Sequence, residues 1–367
     1  MTKAAVLYEA NTPLQVKELT QDPPKAGEVR VRMEAAGVCA SDIHVMHGTA
    51  LLPLPVVLGH EGAGTVEEVG PGVIRVKPGD RCIMSFVSNC GHCRSCRSGN
   101  PQLCDTNAKT GALQYDGTAR LHDNGNGNDV YQMAKVGLFA ETIVAPQQAC
   151  QVIPDSVPMG VAALIGCSVT TGVGAVINSP AAKVGMTVAV FGSGGVGLNV
   201  IQGARMAGAS RIIAVDIFDH KLEFTYKFGA TDVVNSRETD PVEAIKELTG
   251  GGVDMAFDAF GAAETTQGSV NALRKSGTAV IVGLAPVGEM ADLDLIDLVR
   301  NQKTVVGSYY GSASPHETFD VIVDAYLKGK IDIDSLITRN YPLDQINEGF
   351  DALHAGEDGR GIIDFKL

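Results

Sequence analysis

The amino-acid sequence predicts an α/β protein of two domains: a barrel-like antiparallel β domain and a doubly wound parallel sheet. Three observations lead there. The first part of the chain carries short β-branched bursts bounded by Gly and Pro, at residues 29–33, 64–70 and 80–84. From residue 187 onward, fully apolar runs at 188–191, 211–215, 254–258 and 278–282 alternate with helical stretches. Such runs are buried on both faces, as parallel strands covered by helices are. A glycine-rich turn then joins the first of these runs to a helix.

The expected boundaries are 1–168 with 310–367 for the first domain and 169–309 for the second, the tail returning to close the barrel. Residues 1–9 read as an edge strand, and 116–128, with its Asp, Asn and Gly cluster, as a surface loop. With 367 residues, two domains of roughly 150 residues each can bury real cores. A formal charge of −13 argues against nucleic acid or an anionic membrane as partner. No apolar run approaches the roughly 18 residues of a membrane span. The start lacks the apolar core of a signal peptide, so a cytoplasmic location is expected. There, eight cysteines with Cys-x-x-Cys spacing favour metal over disulfides.

The turn Gly192, Ser193, Gly194, Gly195, Val196, Gly197 follows an apolar strand and opens a helix, the setting in which G-x-G-x-x-G cradles a pyrophosphate. Asp216 ends the next strand, where a carboxylate binds the adenosine ribose and repels a 2′-phosphate. NAD is therefore the expected cofactor, in a Rossmann domain. Ile217 offers no positive charge for that phosphate, and Lys221 is a further ribose contact or a solvated helix lysine.

Cys90, Cys93, Cys96 and Cys104 lie in a segment poor in apolar residues, which four thiolates on one Zn²⁺ would order. Two disulfides or an iron–sulfur cluster are the alternatives. His92 is a loop residue within this run, and Cys82 and Cys150 are small core residues. Cys39, His60 and Cys167 supply two thiolates and an imidazole, leaving the fourth corner of a tetrahedral Zn²⁺ open for a water or substrate oxygen.

On these motifs the chain resembles the zinc-dependent medium-chain alcohol dehydrogenases over essentially its full length. It is similar to their liver-type branch, because the loop with Asp116, Gly117, Thr118, Ala119 and Arg120 is present. The resemblance implies a GroES-like catalytic barrel domain and a Rossmann coenzyme domain. It implies two zinc ions per subunit, catalytic at Cys39, His60 and Cys167 and structural at the four-cysteine set. Alcohol and aldehyde would interconvert by hydride transfer to and from NAD, with zinc as Lewis acid. Ser41 would accept the alcohol proton and His44 release it, while Asp42 fixes the His60 tautomer and Glu61 sits behind the metal. Phe86, Met133, Ala134, Leu284 and Tyr309 would form an apolar substrate pocket suited to medium-chain or aromatic primary alcohols.

Three departures refine the expectation. Ala40 replaces a basic residue that many members place on the pyrophosphate, so NADH should be held more weakly. Residues 49–55 are uncharged, and the basic residue for a glutathione carboxylate is absent near Asp105 and Thr106. A plain alcohol is therefore preferred to S-(hydroxymethyl)glutathione, the alternative substrate. A non-catalytic zinc- and nucleotide-binding relative is the reading from another class. The apolar strand at 303–310 is expected to pair with its copy, giving a homodimer, with a homotetramer as the other outcome.

Overall fold

The first strands, Thr2–Leu7 and Gln15–Gln21, carry β-branched Thr2, Val6, Val16 and Thr20 and pair antiparallel from Thr2 opposite Leu19 to Val6 opposite Gln15. In the computed structural model, which describes residues 1–357 and 359–367, these strands close with Leu121–Asp123, Asp129–Gln132 and Val56–Val57 into a small barrel. The first strand is therefore not an edge. Val6 and Leu7 pair with Val57 and Val56 on its other side, and Ala4 to Leu7 are wholly buried. Nor is 116–128 entirely a surface loop. Leu121–Asp123 is a barrel strand, and Arg120 before it is fully buried, donating to Glu28 and Asp116. Composition misled here because a buried guanidinium with two carboxylate partners reads as surface polarity.

The chain divides into two units. The first comprises Met1–Cys167, Ser314–Val323 and Ile333–Leu367. Beside the barrel it holds a mostly antiparallel sheet in the order Cys150–Val152, Arg81–Met84, Gly62–Val69, Glu28–Gly37, Arg360–Asp364, Ile337–Tyr341, with Thr142–Pro146 also on Glu28–Gly37. Cys82 and Cys150 lie in its buried strands, as expected of core thiols. One apolar cluster runs through barrel and sheet, including Met33, Leu58, Phe139 and Phe350, each such side chain contributing about 1.5–3 kcal/mol.

The second unit comprises Ser168–Ala313 and Asp324–Asp332. Its six strands are all parallel, in the order Asp232–Asn235, Arg211–Asp216, Thr187–Phe191, Val253–Asp258, Leu273–Ile281, Thr304–Gly307. Numbered along the chain this is 3-2-1-4-5-6, the doubly wound arrangement whose switch point beside the first strand binds ligands at the strands' carboxyl ends. Contrary to the expectation that no apolar run approaches a membrane span, the helical run Met159–Asn178 has the length and hydropathy of one, and 83% of its apolar window is buried inside the protein.

Candidate metal centres and nucleotide-binding turn

The three residues of the first metal cluster come from three elements of one unit. Cys39 precedes the helix Ala40–Met46, His60 precedes the strand Gly62–Val69, and Cys167 lies in the widened turn Ile165–Val169. Their ligand atoms all lie within 4.8 Å of one another. His60 Nε2 is buried and makes no hydrogen bond of good geometry, and with the two sulfurs it forms a donor set that fits a tetrahedral cation. The Cys167 thiol hydrogen-bonds the Cys39 sulfur, holding Cys39 well below the usual thiol range and pushing Cys167 well above it.

The surrounding shell fixes the imidazole. His60 Nδ1 lies 3.3 Å from Asp42 Oδ1, which also accepts the Gly59 N–H at 3.0 Å. Burial opposes charge on His60, but Asp42 and Cys39 outweigh it and push the ring well above its ordinary value. Asp42 is wholly buried, so its contact with the imidazole is shielded from water. Glu61, also wholly buried, is pushed up to about 7 by burial against the pull of Arg360. Arg360 donates to Glu61 Oε2 at 2.7 Å and to the Val38 carbonyl at 3.0 Å, next to Cys39. Sequence reading missed Arg360. The available signal was an arginine at the head of the apolar strand Arg360–Asp364, where an unpaired charge is untenable.

Ser41 and His44 sit three apart on the helix Ala40–Met46 and so share one face. His44 Nδ1 lies 3.3 Å from Thr49 Oγ1, which itself donates to the His44 carbonyl. Ala40 is exposed. Phe86 stands edge-on to His60, with ring centroids 5.5 Å apart. Met133 and Ala134 are half-buried against the same apolar cluster as Phe86. Leu284 and Tyr309 belong to the second unit and are 59% and 44% exposed.

The second metal cluster is Cys90, Cys93, Cys96 and Cys104, again with sulfurs within 4.8 Å. Cys93 Sγ and Cys104 Sγ are 3.9 Å apart, against the edge of about 3.8 Å that a tetrahedron of 2.3 Å Zn–S bonds requires. Backbone N–H groups point at the sulfurs: Cys90 and Asn107 at Cys104 Sγ, Cys93 at Cys90 Sγ, Cys96 at Cys93 Sγ. Burial opposes charge on Cys90, but the Thr106 hydroxyl and the His92 and Cys93 N–H groups hold it at about 6. No described cysteine is in a disulfide, and His92 bonds the Cys90 carbonyl outside the set. Donors aimed at four thiolates fit a closed zinc site that orders the lobe.

In the second unit, Gly192 has φ +95°, and a Cβ on Gly197 would stand 1.8 Å from the Gly192 carbonyl oxygen. A Cβ on Gly194 would meet nothing within 4 Å, which leaves the backbone open to a phosphate at the start of the helix Gly195–Met206. Asp216 accepts the N–H groups of Ser193 at 2.8 Å, Ile217 at 2.8 Å and Phe218 at 3.2 Å, so the carboxylate is bound to the turn itself. The Lys221 ammonium lies over the Phe218 ring, 5.2 Å from its centroid.

Residues 25–155 match the family model of the alcohol dehydrogenase GroES-like domain, and residues 195–327 that of the zinc-binding dehydrogenases. The S-(hydroxymethyl)glutathione dehydrogenase of Saccharomyces cerevisiae is 40% identical over 98% of this chain and 95% of that one. An alcohol dehydrogenase zinc-binding domain protein from Burkholderia ambifaria superposes with a TM-score of 0.95 at 35% identity, covering 99% of this chain and 98% of that one. The benzyl alcohol dehydrogenase of Acinetobacter calcoaceticus superposes with a TM-score of 0.91 at 33% identity, covering 99% of both chains.

Proposed function

The chain belongs to the zinc-containing medium-chain alcohol dehydrogenases, and on that premise we propose that it interconverts primary medium-chain or aromatic alcohols and their aldehydes, using NAD. The observation that carries the substrate class is the Phe86 ring, edge-on to the zinc-site imidazole; half-buried Met133 and Ala134 pack against the same apolar cluster. An apolar wall at that place favours a hydrocarbon substituent over a charged one. The uncharged stretch 49–55 points the same way.

Zinc, when bound, supplies a Lewis acid, and NAD a hydride acceptor. The chain's own residues do the rest. Cys39, His60 and Cys167 hold the metal, Asp42 orients His60, and Glu61 with Arg360 braces Cys39 from behind. Ser41 accepts the proton of the alcohol hydroxyl, and His44, further along the same helix face, delivers it to solvent. Gly192, Ser193, Gly194, Gly195, Val196 and Gly197 bind the pyrophosphate, and Asp216 with Lys221 the adenosine ribose. The exposed Ala40 leaves the pyrophosphate short of one cation, so Ala40→Arg should lower the NADH dissociation constant. The outermost strand, Thr304–Gly307, pairs only with Leu273–Ile281 among the described residues, and a second copy would extend the sheet into a homodimer.

A second reading rests on the yeast relative: oxidation of S-(hydroxymethyl)glutathione. One panel separates the two. Benzyl alcohol and octanol are assayed with NAD⁺ and NADP⁺, and formaldehyde oxidation with NAD⁺ is assayed with and without glutathione. The proposal expects kcat/KM for both alcohols at least about tenfold higher with NAD⁺ than with NADP⁺. It also expects no response to glutathione; a strongly thiol-dependent rate establishes the second reading instead.

A further inference from the structure

Lys135 has no solvent exposure. Its ammonium donates to the Asn107 carbonyl at 2.7 Å and the Gly111 carbonyl at 2.9 Å, at the end of the helix Asp105–Thr110. The ammonium also lies over the Tyr115 ring, 5.8 Å from its centroid. That short helix starts at Cys104, whose sulfur accepts the Asn107 N–H, so the lysine grips the four-cysteine lobe within one turn of a metal ligand. The backbone of Lys135 is tied to the same lobe, since Gln114 Nε2 donates to its carbonyl at 2.9 Å.

The turn that carries Lys135 is itself unusual. Ala134 and Lys135 have φ of 53° and 67°, two successive side-chain-bearing residues in the left-handed region. Such a pair persists only where the surroundings over-determine it, and it marks places where a side chain must be aimed. Met133 opens the turn Met133–Lys135 and packs half-buried against the same apolar cluster as Phe86. A glycine at 135 would adopt this backbone freely, but it would give up the hold on the lobe. Burial of a lysine needs a compensating return, and stability alone would be better served by an apolar side chain.

We propose that Lys135 is a positioning residue for substrate specificity: by anchoring the turn Met133–Lys135 to the cysteine lobe, it fixes Met133 and Ala134 as a pocket wall. This rests on the reading that those two residues line the pocket. The lobe's order is thereby transmitted to substrate choice, with the zinc ligands themselves unchanged.

The test measures kcat/KM for benzyl alcohol and for ethanol, with zinc content and thermal unfolding, in wild type, Lys135→Gly, Lys135→Met and Met133→Ala. Lys135→Gly keeps the backbone relaxed at a positive φ and so guards against simple misfolding. The proposal expects Lys135→Gly to keep two zinc ions per chain and a kcat for ethanol within about twofold of wild type. It expects the benzyl-to-ethanol ratio to change by at least about fivefold, chiefly through KM for the aromatic alcohol. Met133→Ala should move the ratio in the same direction. A shifted ratio in Met133→Ala with an unchanged one in both Lys135 variants overturns the role of Lys135 and leaves the pocket standing. An unchanged ratio in Met133→Ala removes Met133 from the pocket and overturns both. Loss of one zinc ion in Lys135→Gly assigns the residue to metal retention alone and overturns the proposal as well.

Discussion

Removing Arg360 isolates the buried charge pair it forms with Glu61 beside the zinc site. Arg360 is 4% exposed and Glu61 not at all, and their contact at 2.7 Å spans 299 positions of sequence. In Arg360→Met the buried carboxyl of Glu61 loses the guanidinium, and the Val38 carbonyl loses its donor next to Cys39. Breaking one side of such a pair costs about 3–5 kcal/mol, because the carboxylate loses its cation while staying out of water. Surface pairs such as Lys328 with Asp324, both more than half exposed, would contribute below about 1 kcal/mol and serve as the control. Urea unfolding at pH 7.5 in excess zinc gives the stability change from the midpoint and slope. Glu61→Gln with Arg360→Met completes a double-mutant cycle, and the double variant should recover at least about 1 kcal/mol relative to the sum of the singles. The Arg360 variant should also surrender its catalytic zinc to a chelator faster than wild type, since Cys39 is less firmly held. A loss below about 1 kcal/mol with strictly additive singles would refute the reasoning.

Asp42→Asn frees the His60 tautomer while keeping the side chain's size, and zinc affinity at the catalytic site should fall by about 10–100-fold in a competition titration with a chromogenic chelator. Gly197→Ala drives a methyl into the Gly192 carbonyl, so NADH binding followed by fluorescence should be lost while both zinc ions remain. In the parallel sheet, Asp254 accepts the Thr187 N–H at 2.7 Å, the Thr187 hydroxyl at 2.9 Å and Arg274 Nε at 2.7 Å. Burial alone would raise its pKa, but these donors outweigh burial and hold it below the usual carboxylate range. A carboxyl depressed in the fold contributes stability above its unfolded pKa and loses it as pH falls through the folded value. Asp254→Asn should therefore cost about 2–3 kcal/mol at pH 7 and progressively less below about pH 4, read from thermal unfolding across pH.

What could be read in advance followed from local chemistry. Cys-x-x-Cys spacing, the glycine turn after an apolar strand, and the apolar runs of the parallel sheet each depend on neighbours within about 30 residues, so the sequence displays them directly. The residues that escaped notice act across long separations. Arg360 was hidden because its partner is 299 positions away, and Arg120 because its fork onto Glu28 and Asp116 makes burial of a charge tolerable inside a polar-looking segment. The first strand looked like an edge because its pairing with Val56–Val57 involves only two residues, too short to show as a strand in the pattern. Lys135 gave no sign at all, since a positive φ and a carbonyl-capped ammonium are properties of the folded turn.

The central claim is that Cys39, His60 and Cys167 hold the zinc that performs the chemistry, separate from the four-cysteine site. Elemental analysis paired with the benzyl alcohol oxidation rate, on wild type and Cys39→Ala side by side, tests it most directly. Two zinc atoms per chain in wild type should become one in the variant, with the rate down by about a thousandfold or more and the unfolding midpoint largely kept. A variant that holds one zinc and still oxidises the alcohol at the wild-type rate would contradict the account.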